Sequence, residues 1–98
     1  QVQKFDKNHS YFVFQIFLNN RSIRDKVISE FKKNNIGSSI HYATPVPLMS
    51  YYKNKYKLSE KSFPNAVKYG DTSISLPTHQ FINKKMIEFI AKIIKKNI

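Results

Sequence analysis

The residues with the clearest chemical potential are the pair His41-Tyr42, which a loop containing Pro45 and Pro47 follows directly. An imidazole and a phenol at the end of a strand can donate or accept hydrogen bonds at the edge of a cleft. On the spacing alone, however, a plainer interpretation is favoured. In that interpretation His41 is a partly exposed strand residue and Tyr42 lies in the core.

The other reactive side chains form no pattern typical of a catalytic or metal site. His9 and His79 lie far from His41 in the sequence and lack the spacing of metal ligands. The six carboxylates offer no obvious pair for acid–base chemistry, and two glycines cannot build a glycine-rich phosphate loop. The absence of cysteine excludes disulfides, thiolate metal sites and a thiol nucleophile. We therefore assign no catalytic residue, no cofactor-binding residue and no metal ligand.

The chain is strongly basic, with 17 lysines and arginines against 6 acidic residues and a net charge of +11. Such a charge makes nucleic acid a partner to consider. The basic residues are nevertheless spread from Lys4 to Lys96 instead of forming one cluster. A solvated basic surface is the favoured interpretation, a phosphate-bearing small ligand the second, and nucleic acid or a membrane the third.

Three segments are predicted to be strands, and the first of them is apolar throughout. Residues 11–18 are aromatic and β-branched on both alternating faces, which predicts that both faces are covered. This stretch is too short to span a bilayer, so no membrane partner is expected. Residues 38–42, which end in His41-Tyr42, and residues 72–76 are the second and third predicted strands.

Helices are predicted between these strands and at the end of the chain. Ser22 and Asp25 have the spacing of a capping box, and Asn34-Asn35 gives a helix end. A short helix is predicted over residues 48–57, whereas residues 61–71 are predicted to be a connecting region. Asn83 is the predicted N-cap of the last helix. The apolar stripe of that helix consists of Met86, Phe89, Ile90, Ile93 and Ile94.

Together the elements predict an α+β fold, a two-layer α/β sandwich in the order β-α-β-(α)-β-α. The sheet is expected to be small and mainly antiparallel, with about three strands and with helices on one face. Alternation places these residues on the helix side: Phe12, Phe14, Ile16, Leu18, Ile40, Tyr42, Ile74 and Leu76. The other face would carry Tyr11, Val13, Gln15, Phe17, Ser39, His41, Ser73 and Ser75. With no helix left to cover it, that face is expected to meet another domain, a partner or a ligand.

Five segments, taken in order, resemble the C-terminal part of the DegT/DnrJ/StrS family of pyridoxal-phosphate-dependent sugar aminotransferases. They are NIGSSIHY at 35–42, PVPL at 45–48, YY at 51–52, FPNA at 63–66 and SISLP at 73–77. No single segment is specific, but their order and spacing match the family over residues 11–97. Asn35 and Val67 depart from the usual glycine and acidic residue, which leaves the substrate undetermined.

The resemblance implies that residues 1–98 are one domain, the small C-terminal domain of a longer fold-type I aminotransferase. A large domain that binds pyridoxal phosphate would lie upstream of residue 1, and the 98-residue chain alone is expected to be inactive. Family members are homodimers that transfer an amino group, usually from glutamate, to a nucleotide-linked keto sugar. A role in polysaccharide or glycan biosynthesis and a cytoplasmic location are expected.

The resemblance also implies a substrate site. By position, His41, Tyr42, Thr44 and Pro45 are expected to bind the sugar nucleotide. The alternative hypothesis is a free-standing basic α/β module that binds nucleic acid or another partner, motivated by the charge and by the aromatic residues of 11–17. The basic-glycine-aromatic string typical of RNA-recognition sheets is absent from the sequence.

Overall fold

The computed structural model describes residues 10–98, which form a mixed α/β unit. Its elements are β1 (Phe14–Phe17), α1 (Arg21–Lys33), a 3₁₀ turn (Val46–Leu48), α2 (Ser50–Tyr56), a second 3₁₀ turn (Glu60–Ser62), α3 (Pro64–Thr72), β2 (Ser73–Leu76) and α4 (Lys84–Asn97). The predicted α+β class is confirmed. No helix within the described range is long and apolar enough to cross a membrane.

Within the described residues the sheet has two strands, β1 and β2, which pair antiparallel with Gln15 opposite Ser75. The prediction of a third strand over residues 38–42 is wrong. This segment contributes one isolated bridge, between Ser39 and Ser75, and then the chain turns at His41. The physical reason is that the His41 carbonyl accepts a hydrogen bond from the Gln15 side chain instead of continuing the ladder.

The hydrophobic core lies between the sheet and the two long helices, α1 and α4. Its buried residues are Val27, Phe31, Ile74, Ile90 and Ile93, and the strand residues Ile16 and Leu76, together with Leu18 just after β1, pack against them. The predicted helix-facing side of both strands is therefore confirmed at these positions. Tyr42 and Phe12 are corrections. Tyr42 is 73% exposed, because the chain leaves the sheet at the turn and carries this ring away from the core, and Phe12, which precedes β1, is 84% exposed.

The helix ends follow the local sequence, with one correction. Asn83 accepts a hydrogen bond from the Met86 amide, as predicted for the last helix. The predicted capping box of Ser22 is wrong, since α1 begins earlier and Asn20 accepts from the Ile23 amide at 2.9 Å. The chain leaves α1 at Asn35, whose φ of 55° is left-handed.

The region predicted as a connection, residues 61–71, is mostly α3. Pro64 occupies the first turn of this helix, where its missing N–H costs nothing. Near its end, α3 places Tyr69 on the side of the sheet opposite the core, edge-on to Phe17 at a centroid distance of 5.1 Å. Gly70 is buried beside the turn that follows His41, and a Cβ there would lie 2.5 Å from the Ala43 carbonyl oxygen. Glycine therefore allows the helix to approach this turn.

Candidate functional site

A network of polar side chains lies on the face of the sheet away from the core, and His41 is at its centre. The Nδ1 atom of His41 is 2.8 Å from the Ser75 hydroxyl and 3.4 Å from the Ser39 hydroxyl. Gln15 donates from Nε2 to the His41 carbonyl at 3.2 Å, and the same Nε2 atom lies 3.4 Å from the Ser75 hydroxyl oxygen. The network thus fixes both the ring and the backbone of His41.

Tyr69 completes this network from α3. Its hydroxyl donates to Oε1 of Gln15, so the amide of Gln15 is bonded at both ends. Because Tyr69 belongs to a helix and Gln15 to a strand, the network ties α3, β1 and β2 to the turn at His41. Small directional bonds of this kind set the orientation of a side chain more than they add stability.

The four residues predicted to bind substrate all lie on or beside this turn. His41 and Tyr42 are joined by a cis peptide bond, and their rings meet edge-on at a centroid distance of 5.7 Å. Thr44 and Pro45 instead line a small pocket of about 200 Å³. The structure therefore brings the four residues together along one turn but divides them between the network and this pocket.

The small pocket is markedly polar. Three basic side chains, Arg21, Arg24 and Lys53, line it together with Glu60 and Asp71. A site with more positive than negative side chains attracts an anionic group, and guanidinium groups suit phosphate oxygens.

Arg24 is the most buried of these basic side chains, with 3% of its surface exposed. Its Nη1 donates to the Gly70 carbonyl at 3.1 Å. Its Nε lies 2.7 Å from Oδ1 of Asp25, an ion pair by distance, yet the N–H does not point at the oxygen and makes no hydrogen bond. Arg24 therefore first of all holds α1 and α3 together, and Arg21 and Lys53 are more accessible to a ligand.

A larger, apolar groove of about 660 Å³ lies at the other end of the sheet. It runs between the strand ends and α4, and its walls include Tyr11, Phe14, Leu76, Ile87, Ile90 and Ile94. No group of three or more histidine and acidic side chains within residues 10–98 could hold a metal ion. Of the two cavities, only the polar pocket contains residues expected to bind substrate.

Three residues that hold His41 in place were not singled out by the sequence: Gln15, Ser75 and Tyr69. Gln15 is a polar interruption in the apolar run 11–18, and Ser75 is on the predicted open face. Both residues were noticeable in the sequence, but the sequence did not indicate which residues they would contact. Tyr69 carried no signal, because the helix that positions it was predicted to be a connection.

Comparison with known proteins assigns the chain to a family. The model of the DegT/DnrJ/EryC1/StrS aminotransferase family matches residues 1–95. The chain is 29% identical over 91 residues to the uncharacterized protein MJ1066 of Methanocaldococcus jannaschii, covering 90% of this chain and 23% of that protein. It is 24% identical over 94 residues to the spore coat polysaccharide biosynthesis protein SpsC of Bacillus subtilis, covering 92% of this chain and 24% of that protein.

Solved structures give the same result. The chain is similar to the putative sugar aminotransferase Spr1654 from Streptococcus pneumoniae in its PMP form, with a TM-score of 0.73 and 26% identity. That comparison covers 86% of this chain and 21% of the other, and the PLP form gives a TM-score of 0.72. The chain thus spans about one quarter or less of the length of the relatives it matches. The chain belongs to the DegT/DnrJ/EryC1/StrS aminotransferase family.

Proposed function

We propose that residues 1–98 are the small, C-terminal domain of a longer pyridoxal-phosphate-dependent aminotransferase. The intact enzyme is a homodimer that transfers an amino group, with glutamate as the expected donor, to a keto group on a nucleotide-linked sugar. It acts in polysaccharide or glycan biosynthesis. The observation that carries this proposal is the family match over residues 1–95, in a chain that covers only 21–24% of its relatives. The cytoplasmic location stays a prediction.

The site residues have distinct roles in this proposal. His41 is held rigidly and offers a hydrogen bond to the sugar nucleotide. The exposed ring of Tyr42 packs against the same sugar nucleotide. Thr44 and Pro45 form a wall of the polar pocket, whose basic side chains favour the phosphate groups of such a substrate. This chain therefore contributes binding and orientation of the substrate.

The described residues around His41 do not fit pyridoxal phosphate. That cofactor requires a lysine that bonds its aldehyde carbon. Within residues 10–98 the hydrogen bonds around His41 involve serine, glutamine and tyrosine side chains and no lysine. On Arg24, which could face a phosphate, Nη1 donates to the Gly70 carbonyl and Nε lies beside Asp25. We therefore propose that the large domain holds the cofactor, and no step of the reaction is assigned to this chain.

The test is amino transfer by the full-length protein. Glutamate and a panel of nucleotide-linked keto sugars are supplied, and the amino sugar product is detected by mass spectrometry. We expect product, together with the absorbance of bound cofactor, from the full-length protein. The 98-residue chain with added pyridoxal phosphate is the matched control and is expected to give neither. Cofactor absorbance or amino transfer by the short chain would contradict the proposed division between domains.

The alternative, a basic module that binds nucleic acid, has less support from the geometry. Phe17, one of the aromatic residues that could stack on a base, already packs against Tyr69. The discriminating measurement is binding of single-stranded RNA to the 98-residue chain as a function of salt. Submicromolar binding at physiological salt with a steep salt slope would favour the alternative.

A further inference from the structure

We infer that Tyr69, Gln15 and Ser75 form a directed chain of hydrogen bonds that fixes the tautomer of His41. In this chain of donors, the proton of the neutral imidazole lies on Nε2, and this N–H donates to an oxygen of the substrate. Gln15, Ser75 and Tyr69 are thus positioning residues for His41. The part of the inference that concerns substrate rests on the proposed function, whereas the direction of the hydrogen bonds does not.

The first step is the orientation of the Gln15 amide. Its nitrogen end lies 3.2 Å from the His41 carbonyl oxygen, which can only accept a hydrogen bond. The NH₂ group must therefore face His41, and the amide oxygen faces Tyr69, whose hydroxyl donates to it. A flipped amide would place its oxygen against the His41 carbonyl oxygen and lose that bond, whereas the Tyr69 hydroxyl could pair with either end, so the His41 carbonyl determines the orientation of Gln15.

The second step is the hydroxyl of Ser75, a residue that is only 4% exposed. Its oxygen lies 3.4 Å from the amide nitrogen of Gln15, which can only donate to it. The hydroxyl hydrogen then has one acceptor among residues 10–98, the Nδ1 atom of His41 at 2.8 Å. A buried hydroxyl hydrogen without an acceptor is unfavourable, so Ser75 donates to Nδ1.

The third step is the other nitrogen of the ring. An imidazole that accepts at Nδ1 and is neutral carries its proton on Nε2. Within the described residues this atom has no hydrogen-bond partner, and the side chain is half-buried. Ser39, the other neighbour of Nδ1, is exposed and can turn its hydroxyl to water or to the ring. The chain of bonds therefore ends in a fixed, unpaired N–H donor beside Tyr42.

The chemistry of this donor specifies what it recognises. An N–H held at a fixed angle recognises an oxygen acceptor. A sugar nucleotide offers two kinds of acceptor: the hydroxyl and keto oxygens of the sugar, and the oxygens of the phosphate groups. The basic side chains of the neighbouring pocket suit the phosphate groups.

The direction of the bonds is tested by nuclear magnetic resonance of the full-length protein labelled with ¹⁵N-histidine. Spectra are recorded at about pH 8, where an ordinary histidine is neutral. The His41 signals are assigned with His41→Gln. We expect Nδ1 to have the shift of an unprotonated, hydrogen-bonded nitrogen and Nε2 that of a protonated one. A proton on Nδ1 in the wild-type protein would overturn the inference.

Two variants interrupt the chain at different points. Ser75→Ala removes the donor to Nδ1, and Tyr69→Phe removes one exposed hydroxyl while keeping the ring contact with Phe17. We expect both variants to shift the Nδ1 signal, Ser75→Ala the more. Tyr56→Phe is the matched control, because the Tyr56 hydroxyl has no hydrogen bond among residues 10–98. An unchanged Nδ1 signal in both variants would contradict the positioning role.

The role of the Nε2 proton is tested by binding of UDP-, dTDP-, GDP- and CDP-linked hexoses to the full-length protein, measured by calorimetry. His41→Gln places an amide NH₂ near the position of Nε2, whereas His41→Asn places it near Nδ1. We expect His41→Asn to weaken the tightest of these interactions about tenfold and His41→Gln to weaken it less, about threefold.

The outcomes separate the two proposals. Equal losses in the Gln and Asn variants would overturn the role of the Nε2 proton. If the wild-type protein binds none of the four probes, the proposed function is wrong. The resonance measurements then still decide the direction of the hydrogen bonds, because they need no ligand.

Discussion

The two faces of the small sheet are made by alternate residues of the same strands, yet they are held in different ways. On one face, Ile16 and Ile74 pack under α1 and α4 among buried apolar side chains such as Phe31. On the other face, Gln15 and Ser75 make hydrogen bonds that reach the turn at His41. One face is a core, and the other is a set of directed polar contacts.

This difference separates stability from positioning. Burial of apolar surface has no direction and contributes most of the free energy of folding. Hydrogen bonds contribute little net free energy but impose angles and distances. We therefore expect substitutions on the core face to unfold the protein and substitutions on the polar face to move His41 while leaving most of the stability.

The largest expected effect is on the core face, with Phe31→Ala. The ring is fully buried, so its removal leaves a cavity and should lower the free energy of unfolding by about 3–5 kcal/mol. Urea unfolding measures this loss. Phe12→Ala is the matched control, since Phe12 is 84% exposed and its removal should change the value by less than about 0.5 kcal/mol. Equal losses in the two variants would contradict the core as described.

The next effect is at the contact between α3 and the turn. In Gly70→Ala the new methyl group would lie 2.5 Å from the Ala43 carbonyl oxygen, so the helix or the turn must move. We expect a loss of about 1–3 kcal/mol in unfolding free energy. In the matched variant Gly37→Ala the methyl group meets nothing within 4 Å, and no such loss is expected. If the Gly70→Ala protein were as stable as the Gly37→Ala protein, the turn at Ala43 would move aside without a cost in free energy, and the tight contact would be contradicted.

A smaller effect is expected on the polar face, with Gln15→Leu. This change removes the donor to the His41 carbonyl and the acceptor for Tyr69, at a cost of about 1 kcal/mol. The amide resonances of His41 and Tyr42 should shift strongly in the same variant. Gln80→Leu is the control, because Gln80 is exposed and makes no hydrogen bond within residues 10–98. Large unfolding losses without movement of His41 would contradict the division between the two faces.

The smallest effect is electrostatic and lies outside both faces. Lys33 donates to Glu30 at 2.7 Å and holds the pKa of that carboxyl below its ordinary value of 4.5. A lowered pKa stabilises the folded state above pH 4.5, and this contribution is lost as the pH falls through the folded pKa. Because the pair is at the surface, the change should be small and should vanish in high salt.

Urea unfolding of Glu30→Gln against the wild type between about pH 7 and pH 3 measures this contribution. Glu88→Gln is the comparison, since its carboxylate lies 3.9 Å from Lys84 and makes a looser pair. A Glu30 contribution that grows as the pH falls would contradict the assigned direction.

Much of the core face was predictable, because its signal is periodic and local. The stripe of the last helix is buried at Ile90 and Ile93 as predicted, although Met86 and Phe89, which were predicted to belong to it, are exposed. Asn83 marks a helix start by itself. Residues 38–42 and 61–71 were mispredicted for the opposite reason. Each is short, and its conformation depends on contacts with distant parts of the chain, such as that between Gln15 and the His41 carbonyl.

The candidate site was predictable only in part. The segment that contains His41, Tyr42, Thr44 and Pro45 was identified through its resemblance to a family, and the structure places these residues on one turn. The residues that support them were not identifiable. Tyr69 is 54 residues from Gln15, and the two side chains meet only when α3 packs beside the sheet.

The sequence by itself determined the family, the α+β class, the amphipathic helices and the two alternating faces. These properties depend on the order of residues along the chain and on periods of a few residues. The tertiary structure alone decided that the third segment makes one bridge, that Tyr42 is exposed, and that His41 is held by Gln15, Ser75 and Tyr69. Those features depend on distances between residues far apart in the sequence, which are set only when the helices pack on the sheet.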